Sequence, residues 1–170
     1  LSTVSVTGAV LQMVSHGLIT GLLFAMVGLV YEKAHIRDIN RLGGLARQMP
    51  IIAVIFSVAG LAALGLPGTS GFAAEFLVFV GSFSSKAVEG IQLYTVLGAL
   101  GIVIAAGYIL WMLQRAFYGP PREQYEKVPD ASLLERVPIF ALTAVIILVG
   151  VYPALVTDII KVGVEALPLP

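Results

Sequence analysis

One carboxyl group stands inside strongly apolar sequence: Glu75, between Phe72-Ala73-Ala74 and Phe76-Leu77-Val78. An acid at bilayer depth costs roughly 2.5–3.5 kcal/mol by insertion scales, so its presence points to a task. The chemistry it offers is proton uptake and release. Burial favours the neutral acid, whereas the start of a helix favours the carboxylate. With Gly71 four residues ahead, Glu75 is expected in the first turn of a helix, where those two influences oppose each other. The alternative is a permanently protonated Glu75 serving as an interhelical hydrogen bond.

His16 lies in a second uncharged run, with Gln12 and Thr20 one turn before and after it on the same helical face. Ser15 adjoins that stripe. Such a line, facing a bundle interior, holds water and passes protons, and histidine titrates near neutral pH. A neutral His16 satisfied by a neighbouring carbonyl is the competing account. Tyr108, in a third apolar run, offers a hydroxyl that either hydrates a path or packs. The stretch Gly65-Leu66-Pro67-Gly68-Thr69-Ser70-Gly71 lacks the Gly-Lys-Ser/Thr ending of a phosphate loop and follows no strand, which argues against nucleotide binding. Within it, Thr69 and Ser70 are expected to satisfy backbone groups freed by a helix break; a direct part in transfer is the other possibility. No Ser/His/Asp constellation points to a hydrolase.

Only lipid-embedded helices would hold these groups as spaced. Of 170 residues, 58% are hydrophobic and 12% charged, where soluble domains carry about 25% charged residues. Mean hydropathy is +0.97. Lys+Arg 10 against Asp+Glu 10 argues against a nucleic-acid partner. The absence of cysteine excludes disulfides, thiolate-bound zinc and iron–sulfur ligation by this chain, and two histidines make no metal site alone.

The reading is an all-α, polytopic membrane chain forming a single unit over 1–170. Thr7–Val30, Leu93–Leu113 and Ile139–Val156 are uncharged runs long enough to cross a bilayer. Ile51–Phe83 is different. As one straight helix it would measure about 50 Å, against a hydrocarbon core of about 30 Å. Pro67 and the flanking glycines break it into half-helices at about 51–66 and 72–83. Four transmembrane helices result, the second of them broken. The rival geometry is a re-entrant hairpin.

Charge separates the two. Lys33, Arg37, Arg41 and Arg47 crowd loop 32–50; Arg115, Arg122, Lys127 and Arg136 crowd loop 114–138. The remaining connections hold Lys86 and Lys161. A single crossing by the broken segment puts both basic loops on one side, which the positive-inside rule makes cytoplasmic. Residues 35–42 are expected to form a short interfacial helix, and 157–167 an amphipathic tail along the surface. The apolar sequence at both ends suggests a piece of something longer.

Val14-Ser15-His16-Gly17-Leu18, Tyr31-Glu32-Lys33 with His35 and Asp38, Gly43-Gly44-Leu45, and Leu66-Pro67-Gly68-Thr69-Ser70-Gly71-Phe72 with Glu75-Phe76 together resemble a known family. It is that of the antiporter-like membrane subunits of respiratory complex I, closest to the chain M (chain 4) type of NADH:quinone oxidoreductase. The likeness runs from about Gly8 to Tyr118 and more loosely through Pro153, and corresponds to the last third of such a subunit.

The resemblance implies a proton-translocating membrane-arm subunit of bacterial plasma membranes or an equivalent energy-transducing membrane. Glu75 then matches the terminal proton site of the half-channel opening outward, and His16 the histidine linking the central axis to it. An acid rather than a lysine at that place is the mark of chain M. The D-type component of multi-subunit sodium/proton antiporters also has an acid there, and group 4 hydrogenase membrane subunits are a further alternative. The chain itself would do no redox chemistry and hold no cofactor; flavin, iron–sulfur clusters and quinone belong to partner subunits. Protons, water, lipid and the other membrane-arm subunits are its expected partners. The lysines and the acid of the family's first half-channel would precede Leu1. A purely structural scaffold is the remaining alternative.

Overall fold

The computed structural model describes residues 2–167, and every regular element among them is helical. Helix α1 (Thr3–Ala34) starts where the Ser2 hydroxyl accepts from the Ser5 N–H at 3.1 Å, satisfying one of the donors that every helix start leaves free. It ends at His35, which takes a left-handed φ of 54° and donates its N–H to Tyr31 O at 2.8 Å. Next come α2 (Pro50–Ala63) and α3 (Ser70–Phe83), then α4 (Ile91–Ala116), α5 (Leu133–Val151) and α6 (Ala154–Glu165). Pro50 sits in the first turn of α2, where its fixed φ suits a helix and its missing N–H is not needed. Ser132 and Glu135 form a reciprocal capping box at the start of α5. Three helices among the described residues are long and apolar enough to cross a membrane, namely α1, α4 and α5; α2 and α3 are apolar but shorter.

The interruption between α2 and α3 is wider than the sequence suggests, and starts earlier. α2 stops at Ala63 rather than Leu66, and α3 starts at Ser70 rather than Phe72. The stop is made by glycine, not proline. Gly65, at φ 68°, donates to Ala62 O at 3.1 Å while Leu66 N–H reaches back to Leu61 O at 3.0 Å. That pair of bonds is the Schellman ending of a helix. A tight turn follows at once: Thr69 N–H donates to Leu66 O at 3.1 Å, with Pro67 second and Gly68, at φ 91°, third. Proline then left-handed glycine is the type II pattern. Six residues thus satisfy much of their own backbone.

The two short helices lie end to end along α1 and antiparallel to it. Ser2 Oγ donates to Gly81 O at 2.8 Å near the start of α1, and halfway along it Ser15 meets Ser70, both at 0% exposure. Gly8 lets the Val78–Leu77 backbone of α3 approach, since a Cβ at Gly8 would come within 2.6 Å of Val78 N. The main core joins Leu22 and Met26 of α1 to Ile52, Phe56 and Ala59 of α2, Leu113 of α4 and Ile146 of α5.

The two basic loops meet at the far end. Arg122 Nη2 donates to Asn40 O at 2.6 Å, Tyr125 OH to Arg41 O at 2.9 Å, and Ala46 N–H to Phe117 O at 3.1 Å. Gly44, left-handed at φ 61°, is where Pro121 presses on the backbone. The interfacial helix expected over 35–42 does not form. Asp38 Oδ1 accepts the Asn40 N–H at 2.9 Å, and Arg41 N–H bonds Asp38 O at 3.0 Å, so the side chain closes a turn instead. Of the tail expected over 157–167, residues 157–165 are helical within α6, which starts earlier, at Ala154, and packs inward: Ile160 and Val156 rest against a small cluster of Leu11, Ala73, Ala74 and Val149.

Candidate functional site

Where α2 ends and α3 begins, a cavity of about 470 Å³ opens between α1, the break and α4. Gln12, His16 and Thr20 line it from α1, Ala62 and Ala63 from α2, Gly71 and Glu75 from α3, and Tyr108 and Met112 from α4. The stripe read at helical spacing on α1 therefore lines the same cavity as Glu75. Gln12 Oε1 is buried without a hydrogen-bond partner, in a residue that lines a mostly apolar space. Thr20 Oγ1 donates to His16 O at 2.6 Å, so its proton is engaged within α1 and only its lone pairs face outward. His16 is exposed and Glu75 half-buried. Tyr108 is 61% exposed, at the mouth rather than the floor.

Glu75 lies in the second turn of α3, because that helix starts at Ser70; the first turn holds no acid. The influence of a helix start fades within one turn, so the free N–H groups of α3 do not supply the opposing influence expected for the first turn. What Glu75 has instead is a surface to lie on: its Oε2 rests against Gly65, so closely that a Cβ there would collide with it.

Of the remaining motif residues, Gly71 also lines the cavity, while Pro67, Gly68, Thr69 and Ser70 build the break. Thr69 Oγ1 donates to Leu66 O at 2.7 Å, so a carbonyl beyond the end of α2 is satisfied by side chain as well as backbone. Ser70 does otherwise: its hydroxyl meets Ser15 Oγ at 2.8 Å and ties the start of α3 to α1. Gly71 abuts Ala62 O, where a Cβ would collide, and comes near Ile19 Cδ1. Pro67, exposed, and Gly68, partly buried, form the corner of the turn.

Two residues hold α2 and the break in place without a local sequence signal, one at each end of that helix. Gly150 of α5 lies directly on the Thr69 backbone, leaving no room for a side chain. Asp130 accepts Ile51 N–H at 2.8 Å and Ile52 N–H at 3.2 Å, capping α2 from a loop on the other side of α4. Nearby, Lys33 and Glu135 pair at 2.7 Å and fasten the end of α1 to the start of α5. No group of three or more His, Cys, Asp and Glu residues able to hold a metal ion occurs among the described residues.

The family described as "NADH:quinone oxidoreductase/Mrp antiporter, TM" matches residues 1–105. The chain is 40% identical over 164 residues to NADH-quinone oxidoreductase subunit M of Rhodobacter capsulatus, covering 95% of this chain and 31% of that one. It is 38% identical over 167 residues to F(420)H(2) dehydrogenase subunit M of Methanosarcina mazei, covering 98% and 33%. A chain of respiratory complex I from Thermus thermophilus with bound NADH superposes with a TM-score of 0.85 at 27% identity, covering 97% of this chain and 34% of that one. The chain thus spans about a third of the length of the curated relatives it matches.

Proposed function

The chain belongs to the NADH:quinone oxidoreductase/Mrp antiporter family of transmembrane subunits, and from that membership we propose that it carries the outward half of a proton path in the membrane arm of an NADH:quinone oxidoreductase. The observation carrying this reading is the cavity that sets Gln12, His16, Thr20 and Tyr108 around Glu75 beside an interrupted helix. Broken helices with an ionisable group at the break are how membrane proteins build ion sites at depth. The end-to-end run of α2 and α3 along α1 supports counting them as one crossing, giving four spans. The contact between the two basic loops supports placing 32–50 and 114–138 together on the cytoplasmic side.

In this mechanism a proton arrives along the stripe on α1. His16 receives it on a ring nitrogen and passes it through water in the cavity to the Glu75 carboxylate. The neutral acid is the form that tolerates the apolar surroundings. Release on the outer side restores the carboxylate for the next proton. Redox chemistry falls to partner subunits: flavin, iron–sulfur clusters and quinone react there, and the membrane-arm neighbours convey the driving change.

The test is Glu75→Gln in the full-length subunit within its assembled complex, reconstituted into vesicles. Gln keeps the shape and cannot exchange a proton, so the complex should assemble while proton translocation is largely lost. Wild-type translocation would overturn the proposal. The family also includes Mrp antiporters; proton movement that requires sodium, in vesicles given neither NADH nor quinone, would favour that role instead.

A further inference from the structure

Gly65 ends α2 with a φ of 68°. A Cβ at that position would collide with Glu75 Oε2, and would next meet Glu75 Cδ at 3.3 Å and Phe72 Cα at 3.8 Å. The acid is therefore folded back over the break and lies on bare backbone. Only glycine leaves that space. We propose that Gly65 is a positioning residue for Glu75, its missing side chain forming the seat that holds the carboxyl at the edge of the cavity shared with His16. This deepens the proton-path reading and rests on it.

Helix termination alone does not account for the contact. Gly68 is left-handed too, at φ 91°, yet a Cβ there meets nothing within 4 Å. The two glycines thus separate a dihedral requirement, which both have, from a seat, which Gly65 alone provides. The nearest atom to an added Cβ at Gly65 is the tip of a flexible side chain rather than backbone. Alanine there displaces the carboxyl, on top of the left-handed strain that it shares with alanine at Gly68. A shift of about 1 Å in a reacting group is enough to lower a rate by roughly a hundredfold.

The experiment uses the full-length subunit in its assembled complex, with proton translocation and the infrared carboxyl band of Glu75 as readouts. That band is identified by its loss in Glu75→Gln. Gly65→Ala should lower translocation by about a hundredfold and shift the band. Gly68→Ala, strained in the same dihedral sense, should leave the band in place. Adding Glu75→Asp to Gly65→Ala draws the carboxyl back by one methylene and should recover part of the lost translocation. An unshifted band in Gly65→Ala, or an equal shift in Gly68→Ala, overturns the seat. If Gly65→Ala alone fails to assemble, the double variant decides: restored assembly supports the seat, and continued failure overturns it. Wild-type translocation in Glu75→Gln would remove the proton path, while the band position in Gly65→Ala still judges the seat.

Discussion

Ser15 and Ser70 meet hydroxyl to hydroxyl at 2.8 Å, with neither side chain reached by solvent. Ser70→Ala leaves the Ser15 hydroxyl buried without that partner. A buried polar group so orphaned costs about 1–3 kcal/mol, which unfolding in detergent should report. Removing both hydroxyls at once should cost less than the sum of the single changes, because neither is then left unpaired.

His16→Ala keeps Glu75 and removes the group proposed to pass protons to it. Proton translocation should fall several-fold without vanishing, since water in the cavity still offers a route. Unchanged translocation in reconstituted vesicles would return His16 to a packing role.

Asp130→Ala deprives α2 of its two carboxylate acceptors, at Ile51 N–H and Ile52 N–H. Losing a helix cap costs about 0.5–2 kcal/mol. Faster amide exchange confined to the first turn of α2 is the expected signature. Asp130→Asn, which keeps one acceptor oxygen, should fall between.

Gly150→Val would push a branched side chain into the Thr69 backbone, which has no free end to swing aside. Overpacking of this kind costs about 1–3 kcal/mol. Cross-linking between cysteines introduced on α3 and α5 should report the displacement, whereas Gly163→Val, in open space on α6, should not disturb it.

Much of this site is legible in the sequence because its signals are local. Gly65, Pro67 and Gly68 announce a helix stop and a turn by residue type alone, and Gln12, His16 and Thr20 share a face by spacing alone. The exact stop is harder to read, because proline is the stronger breaker by type while a Schellman glycine ends the helix three residues sooner, at Ala63. The start of α3 at Ser70 rather than Phe72 is what puts Glu75 in the second turn rather than the first. Residues 35–42 suit a helix by composition, but Asp38 bonds its own neighbours and closes a turn. Asp130 on α2, Gly150 on Thr69 and Ser15 on Ser70 join positions 55 or more residues apart. No periodicity within a helix reports such partners; they emerge only once the elements are laid together.

α5 touches both ends of the bundle that holds the break. Glu135, in its first turn, grips Lys33, and Gly150, in its last, lies on the interruption; about 22 Å of helix separates them at 1.5 Å per residue. One continuous helix therefore joins the Lys33–Glu135 ion pair to the unwound turn, so the two contacts share a single scaffold.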